Sequence, residues 1–380
     1  MDDPGREPRR GRLPLGLLGA LALIWLVERH VATHDFDYFG GGHWTFRVAG
    51  WNSASKAKDC RVLCFGDSLL KMGFVPRVVE ARAGLRAYNL AIPGGQAPIA
   101  YFLLKKALAA GSRPSAVVVD YFPRLLADGF AQNRDNYPFL LDLRESLDLA
   151  WAYRDPGLFL DLALREGLPS ARAREAIRPH IRWTLDGHPH LLQGEIRRAL
   201  RNWDANRGAE IAPGRPGPPH DLETWYRRYF PEKVTCHPVN QLYIDRFMRL
   251  AESHAIQVYW LLPPYQPTLQ ALCERTGFDA DHERFVRSML GRYPRLRVID
   301  GRRSSYEPDV FFDLHHLARD GASNFTTEVA GLIRDQPEAS AASPRWSALP
   351  AYRRRPVTVP IEDDDTSRAV VARWMLEQRR

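Results

Sequence analysis

RVLCFGDSLLKMG, residues 61–73, holds an apolar run, a turn and the start of a helical pattern in direct succession. Val62 to Phe65 form a short apolar run of β-branched and aromatic character, which suits a buried strand. Gly66-Asp67-Ser68 interrupts it, and Leu69, Leu70, Met72, Val75, Val78 and Val79 then recur at roughly helical spacing. A strand, a tight turn and a helix push a serine hydroxyl out at the carboxyl end of a sheet. The N–H groups of the new helix point to the same place and can stabilise a developing anion. Ser68 is therefore a candidate nucleophile.

Outward from this turn the chain alternates strands and helices. The pattern predicts a helix over 74–84 ending at Gly84, a strand over 86–90 and a glycine-containing loop over 91–96. A helix over 97–110 and the continuous apolar strand SAVVVDY (115–121) follow. Further on come a helix over 241–254, a strand over 256–262 ended by Pro263-Pro264, a helix over 285–290 and a fifth strand over 296–299. This alternation predicts an α/β fold, a doubly wound parallel sheet with right-handed crossovers. Functional sites in such sheets lie beyond the carboxyl ends of the strands, where Ser68, Gly94, Asp120-Tyr121 and Pro263 would fall.

The segment between the third and fourth strands, about 122–236, is too long for a simple crossover. It reads as helices over 137–153, 157–168 and 171–185, with a proline- and glycine-rich break over 212–219. The expectation is a helical cap over the site edge. Residues 336–380 lose apolar periodicity and gather Pro, Ser, Arg and the run Asp363-Asp364-Asp365, which predicts a disordered tail with a short helix over 367–377.

The second chemical element is FFDLHHLARDGASNF, residues 311–325. A serine at neutral pH needs an adjacent base; histidine suits that task, and a carboxylate fixes the tautomer of the histidine. Asp313 and His316, three residues apart where a loop enters a helix, can supply both. His315 is the rival base.

The tetrapeptide Gly66-Asp67-Ser68-Leu69 after a strand resembles the opening block of the GDSL/SGNH hydrolase superfamily. Asp313-x-x-His316-Leu317 with Gly321 five residues after the histidine resembles its terminal block, a register that selects His316 over His315. The loop 89–95 resembles the second block, in which a glycine N–H joins the oxyanion hole; Gly94 fits best, beside the N–H of Ser68. The resemblance covers 61–121 and 256–334. It implies a three-layer α/β/α, flavodoxin-like domain over 59–335 with Ser68, His316 and Asp313 as catalytic set and no cofactor. One block departs: the family carries Gly-x-Asn-Asp after the third strand, whereas this chain reads VVVDYFPRLL, with Tyr121 or a cap residue as the expected substitute donor and Asn133 and Asn136 off the motif. The layout of anchor, GDS turn, long insert and late Asp-x-x-His is similar to membrane-anchored SGNH proteins that acylate or deacylate envelope polymers. The implied substrate is an acyl ester of a cell-envelope glycan or lipid. An O-acyltransferase using the same residues and a non-catalytic glycan-binding module are the alternatives.

Composition narrows the setting. The 380 residues carry a formal charge of +8, with 47 Arg and only six Lys. The arginines are scattered over helices and tails, and no nucleic-acid motif accompanies them, so no nucleic-acid partner is expected. Cys60 and Cys64 on one strand would be roughly 13 Å apart, beyond disulfide reach; Cys236 and Cys273 are free to pair or not. No CxxC or HExxH spacing suggests a structural metal. Arg6, Arg9, Arg10 and Arg12 precede an uncharged run from Leu13 to Val27, closed by Glu28 and Arg29. Residues 1–30 therefore read as a signal anchor with a cytoplasmic amino terminus and an extracytoplasmic body, and no small-x-small cleavage site follows. Residues 31–58 read as a polar and aromatic connector to the sheet.

Overall fold

The computed structural model describes residues 15–34, 42–129, 133–187, 191–217, 220–335 and 344–377. The basic residues ahead of the apolar run and residues 336–343 of the expected tail lie outside them. The chain opens with helix α1 (Leu15–Thr33) and α2 (His43–Ala54), then strand β1 (Val62–Phe65). The Gly66-Asp67-Ser68 turn leads into α3 (Ser68–Gly73) and α4 (Pro76–Ala83), which ends on Gly84 in the left-handed region at φ 68°. Strand β2 (Ala87–Asn89), helix α5 (Ala97–Ala109), strand β3 (Ala116–Val119) and the short α6 (Pro123–Ala127) follow. The insertion contributes α7 (Leu143–Tyr153), α8 (Pro156–Gly167), α9 (Pro169–Arg172), α10 (Arg174–Leu185), α11 (Leu191–Ala205) and α12 (Leu222–Tyr229). The chain then returns through α13 (Pro238–Ser253), β4 (Gln257–Leu262), α14 (Pro267–Arg275), α15 (Phe278–Arg292) and β5 (Leu296–Asp300). It closes with α16 (Arg319–Asp335), β6 (Trp346–Ala348) and α17 (Asp364–Glu377).

Among the described residues six strands form one sheet, all parallel, in the order β2-β1-β3-β4-β5-β6. Every residue of β1 to β5 is buried, as expected where helices cover both faces of a sheet. Alternation sorts the side chains: Leu63, Phe65, Val117, Val119, Val258 and Trp260 pack with α2, α5 and α13 on one face. Val62, Cys64, Ala116, Val118, Tyr259 and Leu261 pack with α4 and α16 on the other. All four cysteines are free.

Three expectations change. The segment 31–58 is more than a connector: α2 buries Trp44, Phe46, Val48 and Ala49 in the main core, packed against α5. Its polar interruptions (Thr45, Arg47, Asn52) masked the apolar face. The sheet has a sixth strand inside the segment expected to be disordered. Trp346-Ser347-Ala348 carries no apolar run, and it is fixed by its ladder to β5 and by Arg345, whose guanidinium donates to the carbonyls of Leu290 and Tyr293. The rest of 349–377 straps back across the domain. Leu349 is buried, Tyr352 packs on Tyr306 at 4.4 Å between ring centroids, and α17 lies against α11. Asn202 and Asn206 secure that strap by donating to the Glu362 carbonyl.

The insertion also divides. Among the described residues, α6 and α12 line the site edge, whereas α7 to α10 form a lateral group packed on one another and, through α9, on α1.

Candidate active site

The turn after β1 is held from both sides. Asp67 is the N-cap of α3: its Oδ1 accepts from Leu69 N at 2.8 Å and its Oδ2 from Phe122 N at 3.2 Å. Its own N–H donates to Asp120 Oδ1 at 3.0 Å, tying the turn to the end of β3. Gly66 cannot be replaced without disruption, because a Cβ there would sit 1.5 Å from that same Asp120 oxygen. Burial, with the Asp67 charge added, pushes the Asp120 carboxyl well above the usual carboxylate range. Burial raises Asp67 as well, opposed by the N–H bonds it accepts. These carboxylates fasten the turn; neither touches the histidine pair in a hydrogen bond.

Ser68 is the first residue of α3, so its N–H has no intrahelical acceptor. Its Oγ lies 2.8 Å from His316 Nε2, and His316 Nδ1 lies 2.7 Å from Asp313 Oδ2. Asp313 Oδ1 accepts from the backbone N–H groups of His315 and His316 at 2.9 and 2.8 Å. Burial pushes the Asp313 carboxyl up, but the His316 hydrogen bond and charge and the His315 N–H outweigh it and hold it well below the ordinary range. An ionised Asp313 at Nδ1 leaves Nε2 unprotonated and facing the serine, the tautomer a general base requires.

His315 takes another part. Its ring stacks on Phe122 at 5.9 Å and 9°, and its Nδ1 accepts from the Trp225 indole N–H at 2.8 Å. Burial and the neighbouring His316 push its pKa well down, so it stays neutral. It braces α12 against the site. Asp313, His315 and His316 also form the cluster of metal-ligand type in this region. The Nδ1 atoms of both histidines and both oxygens of Asp313 are already engaged in the hydrogen bonds above, an arrangement that suits proton transfer better than coordination.

The loop after β2 approaches the turn closely. Ile92 N donates to Gly66 O at 3.0 Å, and a Cβ on Gly95 would lie 2.2 Å from that oxygen. Gly94 takes φ +71° and lines the cleft beside Ser68. Asn89 fixes both sides of the loop: its amide donates to Leu70 O and Phe74 O, and its oxygen accepts from Ala91 N. The off-motif Asn133 is revealed as part of this loop's support. Its amide donates to Gly94 O and to Gln96 Oε1, both at 2.9 Å, so it positions Gly94 and has no hydrogen left for an oxyanion. Tyr121 is not the substitute donor. Its ring is buried edge-on against Trp260, 5.0 Å between centroids, and it does not line the cleft.

The cleft over these residues encloses about 860 Å³. Sequence reading missed its outer wall: Phe122 from β3's exit, and Trp225, Arg228 and Tyr229 from α12. The signal was present in DLETWYRRY, residues 221–229. Asp221 is an N-cap that accepts from Thr224 N at 2.8 Å, and Trp225 and Tyr229 are spaced to share one helix face. The sequence matches no protein-family model and no curated protein.

Proposed function

We infer that this protein is a serine hydrolase of the SGNH/GDSL type that acts on an acyl ester through a covalent acyl-serine. The observation that carries this reading is the continuous relay from Ser68 Oγ through His316 to Asp313, at 2.8 and 2.7 Å. The strand order 2-1-3-4-5 within the sheet supports a flavodoxin-like, three-layer reading of the domain. Ser68 Oγ attacks the ester carbonyl as His316 Nε2 takes its proton. The Ser68 and Gly94 N–H groups face the developing oxyanion. Collapse expels the alcohol, which takes the proton back from His316, and leaves the acyl group on Ser68. Water, deprotonated by the same nitrogen, then releases the acid.

Arg124 and Arg228 are cations of the cleft wall, both set over the Tyr229 ring, and with Trp225 they give that wall the aromatic and polar mix that suits a sugar ring. This wall supports a glycan ester as substrate. It supports a second reading equally, in which a sugar hydroxyl replaces water and the enzyme is an O-acyltransferase. The helix α1, long and apolar enough to cross a membrane, supports anchoring, and the arginines that precede it in the sequence support a body on the extracytoplasmic side. Treatment with a fluorophosphonate followed by mass mapping tests the reading. A phosphonylated Ser68, absent in Ser68→Ala and strongly reduced in His316→Ala, is expected. A folded protein that takes no label at Ser68 overturns it and leaves a glycan-binding module.

A further inference from the structure

The lateral group of the insertion carries apolar side chains that the fold does not use. On α7, Leu143, Leu147 and Trp151 recur every four residues and are exposed, Trp151 at 80%. On α8, Leu160 and Leu164 repeat the spacing, with Leu160 at 68% exposure. On α10, Ile177, Ile181 and Leu185 form a third row, and Leu185 is 81% exposed. A hollow of about 610 Å³ opens between α7 and α8, walled by Leu147, Trp151 and Phe159. Soluble monomers seldom leave so many large apolar side chains exposed on neighbouring helices without a partner.

Two observations identify what covers it. The first is continuity with α1. The side chains of α1 are exposed from Leu17 to Val27, and the next residue, Glu28, is pinned to the insertion: its carboxylate accepts from Ser170 N at 2.8 Å and from the Ser170 hydroxyl. Val31, one turn on, is buried. Where the apolar part of α1 stops, α9 begins, with α8 and α10 packed beside it. The second is charge. Arg174, Arg178 and Arg182 recur every four residues along α10, each three residues before a member of the apolar row. Glu175 and Asp186 offset part of that charge, at 3.3 Å from Arg174 and 3.9 Å from Arg182. An apolar row flanked by arginines is the pattern of a helix lying in a bilayer interface, its guanidiniums among anionic headgroups.

We propose that α7, α8 and α10 form an interfacial platform that seats the domain on an anionic lipid bilayer beside α1. This rests on the reading of α1 as the membrane span. The test uses the full chain, in a Cys236→Ser background, reconstituted into vesicles of equal parts phosphatidylcholine and phosphatidylglycerol. An environment-sensitive NBD fluorophore is placed singly at Trp151→Cys, Leu160→Cys, Leu185→Cys, Leu21→Cys on α1, and Glu252→Cys on the exposed side of α13. Doxyl lipids should quench NBD at positions 21, 151, 160 and 185 and leave position 252 bright. Quenching at 21 without quenching at 151, 160 and 185 overturns the platform and keeps the anchor; no quenching at 21 removes the anchor itself. Arg178→Glu with Arg182→Glu should weaken quenching at 185 and leave 21 unchanged. If positions 151, 160 and 185 are shielded only as protein concentration rises, with no lipid quenching, the face is a contact between copies and the proposal fails.

Discussion

The two adjacent histidines differ in what their nitrogens face. His316 joins Asp313 to Ser68, whereas His315 Nδ1 is occupied by the Trp225 indole. Ser68→Ala and His316→Ala should each abolish hydrolysis of a p-nitrophenyl acyl ester, a loss on the order of 10⁶-fold. Asp313→Asn should cost about 10⁴-fold, the loss expected when the tautomer is spoiled and the geometry kept. His315→Phe keeps the stack on Phe122 and loses only the Trp225 bond, so its rate should fall by less than about 10-fold. Steady-state kinetics with circular dichroism as fold control reads all four; a larger loss in His315→Phe than in His316→Ala would move the base. Asn133 acts one step away. Asn133→Leu removes both donors that hold Gly94 and Gln96, and should lower kcat about 10–100-fold with KM little changed. A rise in KM at unchanged kcat would place Asn133 in substrate binding instead.

Among elements, α3 contains a lysine whose burial needs explaining. Lys71 is 1% exposed, with its ammonium 3.1 Å from the centre of the Trp203 ring, and the Trp203 indole donates to Glu210. Burial brings its pKa down to about 7, with the Glu210 charge opposing. The folded protein thus binds this proton less readily than the unfolded chain, whose lysine titrates near 10.4. The penalty is fully present below about pH 7 and is relieved as pH rises towards that unfolded value. Lys71→Met should therefore stabilise the protein, by on the order of 3 kcal/mol near pH 6, and by progressively less towards pH 10. Thermal melts at the two pH values measure it; an equal effect at both would mean that the amine is not the cause.

At the scale of the whole molecule, the last described segment closes the fold. β6 covers the edge of β5, Leu349 enters the core, and Glu362 accepts from Asn202 on α11 and Asn206 just after it, with Ser367 also bonded to Asn202. A chain ending after Asp335 would expose the β5 edge and the apolar surface beneath Trp346 and Leu349, at about 3–5 kcal/mol. Its melting temperature should fall markedly, and it should aggregate more readily. A truncated protein that melts with the full chain would show the strap to be dispensable.

Read alone, the sequence determined the parts whose information is local. Strands β1 to β5 are apolar runs bounded by turn residues, so they were legible, as was the placement of Ser68 at a strand-turn-helix junction. Asp313 and His316 were legible because they share one short segment. The register of a resemblance, not composition, separated His316 from His315; in the structure His316 faces Ser68, while His315 is engaged by a Trp225 indole ninety residues away. Only the tertiary structure decided the rest. β6 has no local signal because its stability comes from β5 and Arg345. The apolar face of α2 is broken by polar residues that other elements accommodate. Asn133 lies off every motif because it acts through the Gly94 carbonyl, and a backbone contact leaves no spacing to read. The insertion's division into a site wall and a lateral group likewise follows from packing against α1, which no periodicity within the insertion encodes.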